Sequence, residues 1–314
     1  MILHLCSGPA ADQSNDDNFL ECLSIRSKNN TRNSSFVYYT PNNPSYLSIL
    51  QSSIRSRRSF TTTASTPRPR VIVTPMHESQ VPSVVLCAKE NGMQIRTRSG
   101  GHDYEGISYT SKVPFVVLDL LNLNEITTDV GHKIAWVQAG ATIGQLYYKI
   151  SRESRTLAFP AGSCPTIGVG GLFSGGGYGS MFRKYSLAAD NIVDAHMVDV
   201  GGRILDRKSM GEDLFWAIRG GGGARFGVVS AWKLNLVTVP ETITIFSVGR
   251  TLEQNATQLI HRWQYVAPDL QFVAPRLGGL TTSFVGKELP GIRRNKGRLH
   301  RSELDSVDLV LWWC

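Results

Sequence analysis

One histidine and one cysteine lie inside glycine-rich stretches: His102 in RTRSGGHDYEG (96–106) and Cys164 in AGSCPTIGVGGLFSGGGYG (161–179). A third stretch, RGGGGARFG, spans 219–227. Paired glycines let backbone N–H groups converge on an anion, and a helix N-terminus adds a favourable dipole. The ligand such loops suit is a phosphate-rich cofactor. Neither GxGxxG nor GxxxxGK[ST] occurs, so the usual dinucleotide fingerprint and the P-loop are both absent. The plainer reading is that the glycines only make tight turns, that His102 is a surface residue and that Cys164, before Pro165, is a buried thiol. A Cys–His nucleophilic pair is a further alternative. It lacks an orienting group and leaves the glycines unexplained, whereas covalent attachment of a cofactor accounts for both features.

The elements that must hold these loops are legible from apolar patterning. DDNFLECLSIR (16–26) reads as a short capped helix, and 27–35 as a polar loop. A Ser/Thr-rich connector, 59–69, ends in Pro67 and Pro69 and suits a domain boundary. Strands are expected at 71–75, 93–98, 115–120 and 134–140, and helices at 79–91 and 143–154. Gly92 stands where a helix C-cap belongs. Residues 191–200 and 203–207, joined by Gly201-Gly202, read as a hairpin; 212–220 reads as a helix and 227–239 as one long strand. A strand at 242–250 and an amphipathic helix at 252–267 follow, and no periodicity is evident beyond about 270. The strand–helix alternation argues an α+β chain built from α/β subdomains.

Composition bounds the function classes. The chain has 314 residues, enough for one large or two ordinary domains, and a formal charge of +8. Much of that excess sits in Lys287–Arg301, with six Lys or Arg against Glu288; a solvated basic tail is expected there rather than a nucleic-acid site. No apolar run reaches the roughly 20 residues a membrane span takes. Met1–Ala11 has no basic n-region and no proper apolar h-region, so it is at most a signal-peptide remnant. Five cysteines (Cys6, Cys22, Cys87, Cys164 and Cys314) form no CxxC pair, which argues against zinc or another metal. Cys22 and Cys87 read as buried thiols or a disulfide. Sequons at Asn29, Asn33 and Asn255 are compatible with a secreted glycoprotein.

RTRSGGHDYEGISY, FPAGSCPTIGVGGLFSGGGYG and RKYSLAADNIVDAHMVDVGGRILDRKSMGEDLFWAIRGGGGARFGVV together resemble the plant berberine bridge enzyme-like family, which includes reticuline oxidases and cannabinoid synthases. The resemblance covers about residues 15–265. It implies a vanillyl-alcohol-oxidase, PCMH-type FAD-binding domain at 67–241, after an N-terminal segment 1–66 and before the start of a substrate domain at 242–314. It implies FAD held covalently, His102 on the flavin 8α-methyl carbon and Cys164 on C6. It places Arg98, Ser99, Gly100, Gly101 and Asp103 beside the cofactor, with Asp103 orienting the loop. Gly168, Gly170, Gly171, Ser174, Gly175, Gly176, Gly177, Gly179 and Asn191 join them. Tyr104 and Tyr178 match tyrosines lining family active sites and become candidate catalytic hydroxyls; packed aromatics beside turns are the alternative. Cys22 and Cys87 match the family's disulfide pair, favouring an oxidising compartment.

The implied activity is oxidation of a small organic substrate by hydride transfer to flavin N5, with O₂ reduced to H₂O₂ by a monomer. It implies no nucleic acid or membrane partner. The family location is secreted, apoplastic or vacuolar. Leu172 departs from the family, which mostly carries His there, and a tuned rather than abolished site is expected. The late NYRD-like and WGxxYFG-like segments are missing, and the residues from about 288 do not follow the family pattern. The chain therefore reads as C-terminally truncated, with Trp312, Trp313 and Cys314 exposed and flavin binding and turnover weak. The competing expectations are a non-catalytic flavin-fold remnant and a basic nucleic-acid binder.

Overall fold

The computed structural model describes residues 9–28, 35–56, 67–242, 244–266, 279–285 and 306–313. Residues 59–66 of the connector, Asn29, Asn33, the basic stretch 287–301, Cys6, Cys314 and most of the N-terminal leader lie outside the described residues.

Two layers carry the loops. The first begins with α1 (Pro9–Lys28), β1 (Tyr38–Tyr39) and α2 (Tyr46–Ser52). It continues with β2 (Val71–Val73), α3 (Val81–Glu90), β3 (Gln94–Arg98) and β4 (Phe115–Asp119). The sheet order is β1-β2-β4-β3; β2 and β3 run parallel to β4, and β1 is antiparallel. The unbroken apolar runs at 71–73 and 115–118 follow from this placement, because a parallel strand covered on both faces has no polar side. Val71, Val73, Val116 and Leu118 pack against α1 and α3, while Ile72, Phe115 and Val117 pack against Tyr46 and Leu50 of α2. Past the end of α3, Gly92 takes φ 64°, a left-handed cap that favours glycine. The Cys22–Cys87 disulfide ties α1 to α3, as the family resemblance implied.

The second layer holds β5 (Ile126–Asp129), β6 (Ile134–Gln138), α4 (Ile143–Glu153), β7 (Leu157–Ala158), α5 (Val169–Ser174) and α6 (Phe182–Tyr185). After these come β8 (Ile192–Val198), β9 (Ile204–Leu205), α7 (Arg207–Ile218), β10 (Val228–Asn235) and β11 (Val237–Thr238). Its sheet is antiparallel, in the order β5-β6-β10-β8-β9. Helices α4, α5 and α7 bury Leu146, Ile150, Phe173 and Phe215 against Val137, Met197 and Trp232. α3 bridges the layers, since its valines share one cluster with Ala139, Val198 and Val228 of the second layer.

Three expectations need correcting. The strand expected over 227–239 is two strands in different sheets. Leu236 is buried and its N–H donates to the Lys133 carbonyl (2.7 Å), which turns the chain so that β11 pairs with β7. The helix expected at 212–220 starts five residues earlier, because Asp206 caps it by accepting from the Ser209 N–H (2.8 Å). Gly211, at φ 77°, breaks it within. The stretch beyond 270, expected to be irregular, holds β13 (Gly279–Val285) and β14 (Ser306–Trp313). These complete a sheet of order β12-β14-β13 with β12 (Thr244–Thr251), and α8 (Ala256–Val266) follows β12. Trp312 and Trp313 thus lie in a strand paired with β12.

Candidate functional site

The three glycine-rich stretches converge. The first leaves β3, the sheet-one strand beside β4; the second runs from β7 through α5; the third follows α7. His102 of the first reaches Thr166 of the second, Nε2 to Oγ1, at 2.8 Å. Their backbones also touch: a Cβ on Gly100 would stand 2.3 Å from the Gly168 nitrogen, and one on Gly168 would stand 2.2 Å from the Gly100 nitrogen. The second loop joins the third through Ser174, whose carbonyl accepts the Gly220 and Gly222 N–H groups, both at 2.9 Å.

The segment around Cys164 is clamped on both sides by α4. Ile143 and Gly144 at the start of α4 donate their N–H groups to the Ile167 and Pro165 carbonyls, both at 2.9 Å. One turn on, the Tyr147 hydroxyl donates to the Gly162 carbonyl at 2.7 Å, and burial pushes the Tyr147 pKa up to about 12, so it stays a donor. α4 is a firm support, because Thr142 and Gln145 form a capping box at its start. Between these clamps Cys164 is a free, exposed thiol. The buried-thiol alternative is therefore excluded by position.

His102 is half-buried. Burial lowers its pKa, the Arg55 charge lowers it further, and a hydrogen bond to the Thr166 backbone opposes both. The ring is thus biased to its neutral, nucleophilic form. The Asp103 carboxylate accepts from the Ser108 hydroxyl and backbone N–H, closing the loop that follows. Ser99 donates to the Ala139 carbonyl at 2.6 Å.

Most of the expected cofactor glycines have a reason inside the protein. A Cβ on Gly101 would meet the Ser53 carbonyl oxygen at 1.6 Å, on Gly170 the Ala139 carbonyl oxygen at 2.8 Å, and on Gly179 the Ala161 carbonyl oxygen at 1.7 Å. Gly176 and Gly177 have positive φ and their carbonyls accept from Ala189 and Ala188. Gly175 ends α5. Gly171 differs: nothing lies within 4 Å of where its Cβ would stand. The bare Gly171 surface, the exposed Cys164 thiol and the His102 imidazole fit a planar, phosphate-bearing group laid on this junction.

Two of the expected cofactor residues have side chains engaged within the fold. Arg98 is fully buried and its guanidinium is committed to Asp119 (2.6 Å) and to the Leu50 and Ile49 carbonyls (2.7 and 2.9 Å). A buried charge needs such partners, so its side chain braces the loop from within the fold. The Asn191 amide likewise donates to the Tyr185 and Leu187 carbonyls. Tyr104 and Tyr178 are 93 % and 68 % exposed, and Tyr178 packs against Phe182 with ring centroids 4.8 Å apart. Thr166, Tyr147 and Arg55 were not anticipated; Thr166 lay inside the quoted motif, two residues from Cys164.

Residues 69–207 match the family described as FAD binding domain. Berberine bridge enzyme-like 18 of Arabidopsis thaliana is 54 % identical over 267 residues, covering 85 % of this chain and 50 % of its own length. Tetrahydroberberine oxidase of Berberis wilsoniae is 54 % identical over 261 residues, covering 83 % and 48 %. The solved berberine bridge enzyme-like protein 28 from Arabidopsis thaliana superposes with a TM-score of 0.80 at 44 % identity, over 95 % of this chain and 54 % of that one. Phl p 4, a grass pollen allergen with glucose dehydrogenase activity, superposes with a TM-score of 0.80 at 39 % identity, over 94 % and 55 %. A variant of Phl p 4 is described as a glucose oxidase. This chain spans about half the length of the relatives it matches.

Proposed function

Because the chain belongs to the berberine bridge enzyme-like family of FAD-binding oxidoreductases, we propose that it holds FAD covalently at the loop junction and oxidises a small organic substrate there. The observation that carries this reading is the pairing of an exposed free thiol, Cys164, with a neutral-biased imidazole, His102, on two loops joined through Thr166.

When bound, FAD would supply two-electron oxidation of the substrate, with O₂ as electron acceptor and H₂O₂ as its product. The chain's own residues do the rest. His102 and Cys164 anchor, while Tyr147, Gly144 and Thr166 fix the Cys164 loop. Gly171 gives the cofactor room to approach the backbone. Tyr104 and Tyr178 offer hydroxyls to the substrate side. Leu172 packs on Gly162 of the Cys164 loop, 3.4 Å from where a Cβ there would stand, and its apolar side chain tunes the pocket without removing an anchor. Residues 67–241 act as the flavin domain, and 242–314 begin a substrate-side unit.

The Cys22–Cys87 disulfide supports assembly in an oxidising compartment, hence secretion. Asn255, exposed in the turn before α8, is the described sequon that a glycan would reach. Among the described residues no helix is long and apolar enough to cross a membrane.

The reading is tested by expressing the chain with FAD and assaying it against a substrate panel, with O₂ and with an artificial dye as alternative acceptors. A yellow protein that forms H₂O₂ in step with substrate loss is expected. Dye reduction without peroxide would overturn the oxidase part, as the dehydrogenase activity of Phl p 4 makes a real alternative. A colourless protein that takes up no FAD would overturn the whole.

A further inference from the structure

Residues 69–207 match the FAD-binding family, yet the His102 loop rests on α2, which precedes them. We propose that the C-terminal turn of α2 (49–55) sets the position of the His102 loop, with Arg98 as the positioning residue that locks this turn to the sheet. This rests on the attachment reading above and deepens it, because it gives the two anchors independent supports.

A helix leaves its last four carbonyls without intrahelical partners. In α2 these begin at Ile49. Arg98 reaches two of them: Nη1 donates to the Leu50 carbonyl at 2.7 Å and Nη2 to the Ile49 carbonyl at 2.9 Å. Its charge also suits the negative end of the helix dipole. The guanidinium cannot swing away, because Asp119 Oδ2 accepts from Nε at 3.2 Å and from Nη2 at 2.6 Å. Arg98 and Asp119 stand opposite each other on β3 and β4, and both are fully buried. The start of α2 is fastened as well, where the Tyr46 hydroxyl donates to the Pro69 carbonyl at 2.6 Å. Just beyond Arg98 the loop returns to the same turn. The Gly101 carbonyl accepts from the Arg55 N–H at 3.3 Å, and a Cβ on Gly101 would stand 1.6 Å from the Ser53 carbonyl oxygen. The chain is thus tied to one turn of α2 at Arg98 and again at Gly101, immediately before His102.

The Cys164 loop draws its support elsewhere, from Ile143, Gly144 and Tyr147 of α4. Loosening the α2 turn should therefore displace His102 and leave Cys164 in place. Small displacements matter, since a misplacement of about 1 Å can slow a reacting pair by about 100-fold. Attachment at His102 balances when the ring exchanges its N–H for an N–C bond to the flavin methyl carbon. One C–H bond of that methyl breaks, both hydrogens leave as protons, and O₂ takes the electron pair and the protons to become H₂O₂.

Two variants unlock the turn. Arg98→Met with Asp119→Leu exchanges the buried pair for apolar side chains, a replacement that buried ion pairs commonly tolerate. Arg98→Lys keeps a charge beside Asp119 but lacks the planar fork that spans the carboxylate and both carbonyls, and it carries the test if the double variant does not fold. Flavin-free protein, made under riboflavin limitation, is mixed with FAD, and the flavin on the His102 and Cys164 peptides is followed separately by mass. Both variants should attach flavin at His102 about 10-fold more slowly, the scale of the lost hydrogen bonds, with Cys164 attachment unchanged. A role in overall stability alone would slow both sites together. Amide exchange on the flavin-free protein gives a second readout. The Arg55 N–H should exchange about 10-fold faster in the variants, while the Gly144 N–H, which clamps the Cys164 loop, exchanges as in the native chain. Equal slowing at both anchors, wild-type attachment at His102, unchanged exchange at Arg55, or equal acceleration at Arg55 and Gly144 would overturn the assignment. Native protein that attaches flavin at neither residue would instead count against the attachment reading, and the exchange rates alone then decide the role of the α2 turn.

Discussion

Gly168 and Gly171 lie three residues apart and do opposite things. Gly168 has φ −73° and ψ 135°, which any residue can adopt, so its need for hydrogen as a side chain is purely one of space. Its neighbours are backbone and the Ser99 hydroxyl, which cannot swing aside freely. Gly168→Ala should therefore push the first two loops apart, lowering unfolding stability by about 1–3 kcal/mol and abolishing flavin attachment. Gly171→Ala meets no protein atom, so it should leave the denaturation midpoint unchanged and weaken FAD uptake alone. Equal loss of stability in both would show that Gly171 faces protein, not ligand. This contrast was beyond the sequence. Glycine clustering marked the right loops, but which glycine faces the fold and which faces open space depends on Ser53, Ala139 and Ala161, all remote in the chain. The inward commitment of the Arg98 side chain was beyond the sequence for the same reason, because its partner Asp119 lies on the next strand of the sheet.

At the scale of elements, α1 depends on its covalent tie to α3. The Cys22–Cys87 bond closes a loop of 65 residues, so the double change Cys22→Ser with Cys87→Ser should cost about 2–4 kcal/mol, chiefly by freeing the unfolded chain. Denaturant unfolding checks this, and a change below about 1 kcal/mol would mean that Phe19 and Leu23 hold α1 unaided. Elements whose signals are local were legible: β2, α3, β3, β4, β6 and α4 all lie within a few residues of their expected bounds. Elements defined by distant partners were not. β1 and β11 are two-residue strands that exist only through pairing with β2 and β7. β14 finds β12 across more than fifty residues, and no periodicity over 279–285 or 306–313 announces that.

Across the whole molecule, the two layers meet at a charged clasp as well as at the apolar face of α3. Glu78, in the turn before α3, faces His196 of β8 at 3.2 Å and accepts from the Ser230 hydroxyl of β10. The hydrogen bond that His196 donates to the Glu78 carboxylate raises the His196 pKa, against the effect of burial, with smaller help from Asp194 and Asp206. Burial alone would raise the Glu78 pKa, but its hydrogen bonds with His196 and Ser230 outweigh that and lower it. The signs then follow. The His196 contribution is full below its ordinary pKa of 6.5 and fades as pH climbs through the raised value. The Glu78 contribution is full above 4.5 and fades as pH falls through the lowered value. The clasp is strongest in the window between, so stability should decline as pH rises above 6.5 more in the native chain than in Glu78→Gln. Parallel stability–pH curves for the two would remove the clasp from the account.

The central claim, that this junction holds flavin through His102 and Cys164, is tested most directly by the visible spectrum of acid-precipitated, washed protein. The account predicts that the flavin colour stays with the native chain, stays with each of His102→Ala and Cys164→Ala, and is lost only when both are changed. Release of all the colour from the native chain on denaturation would contradict it.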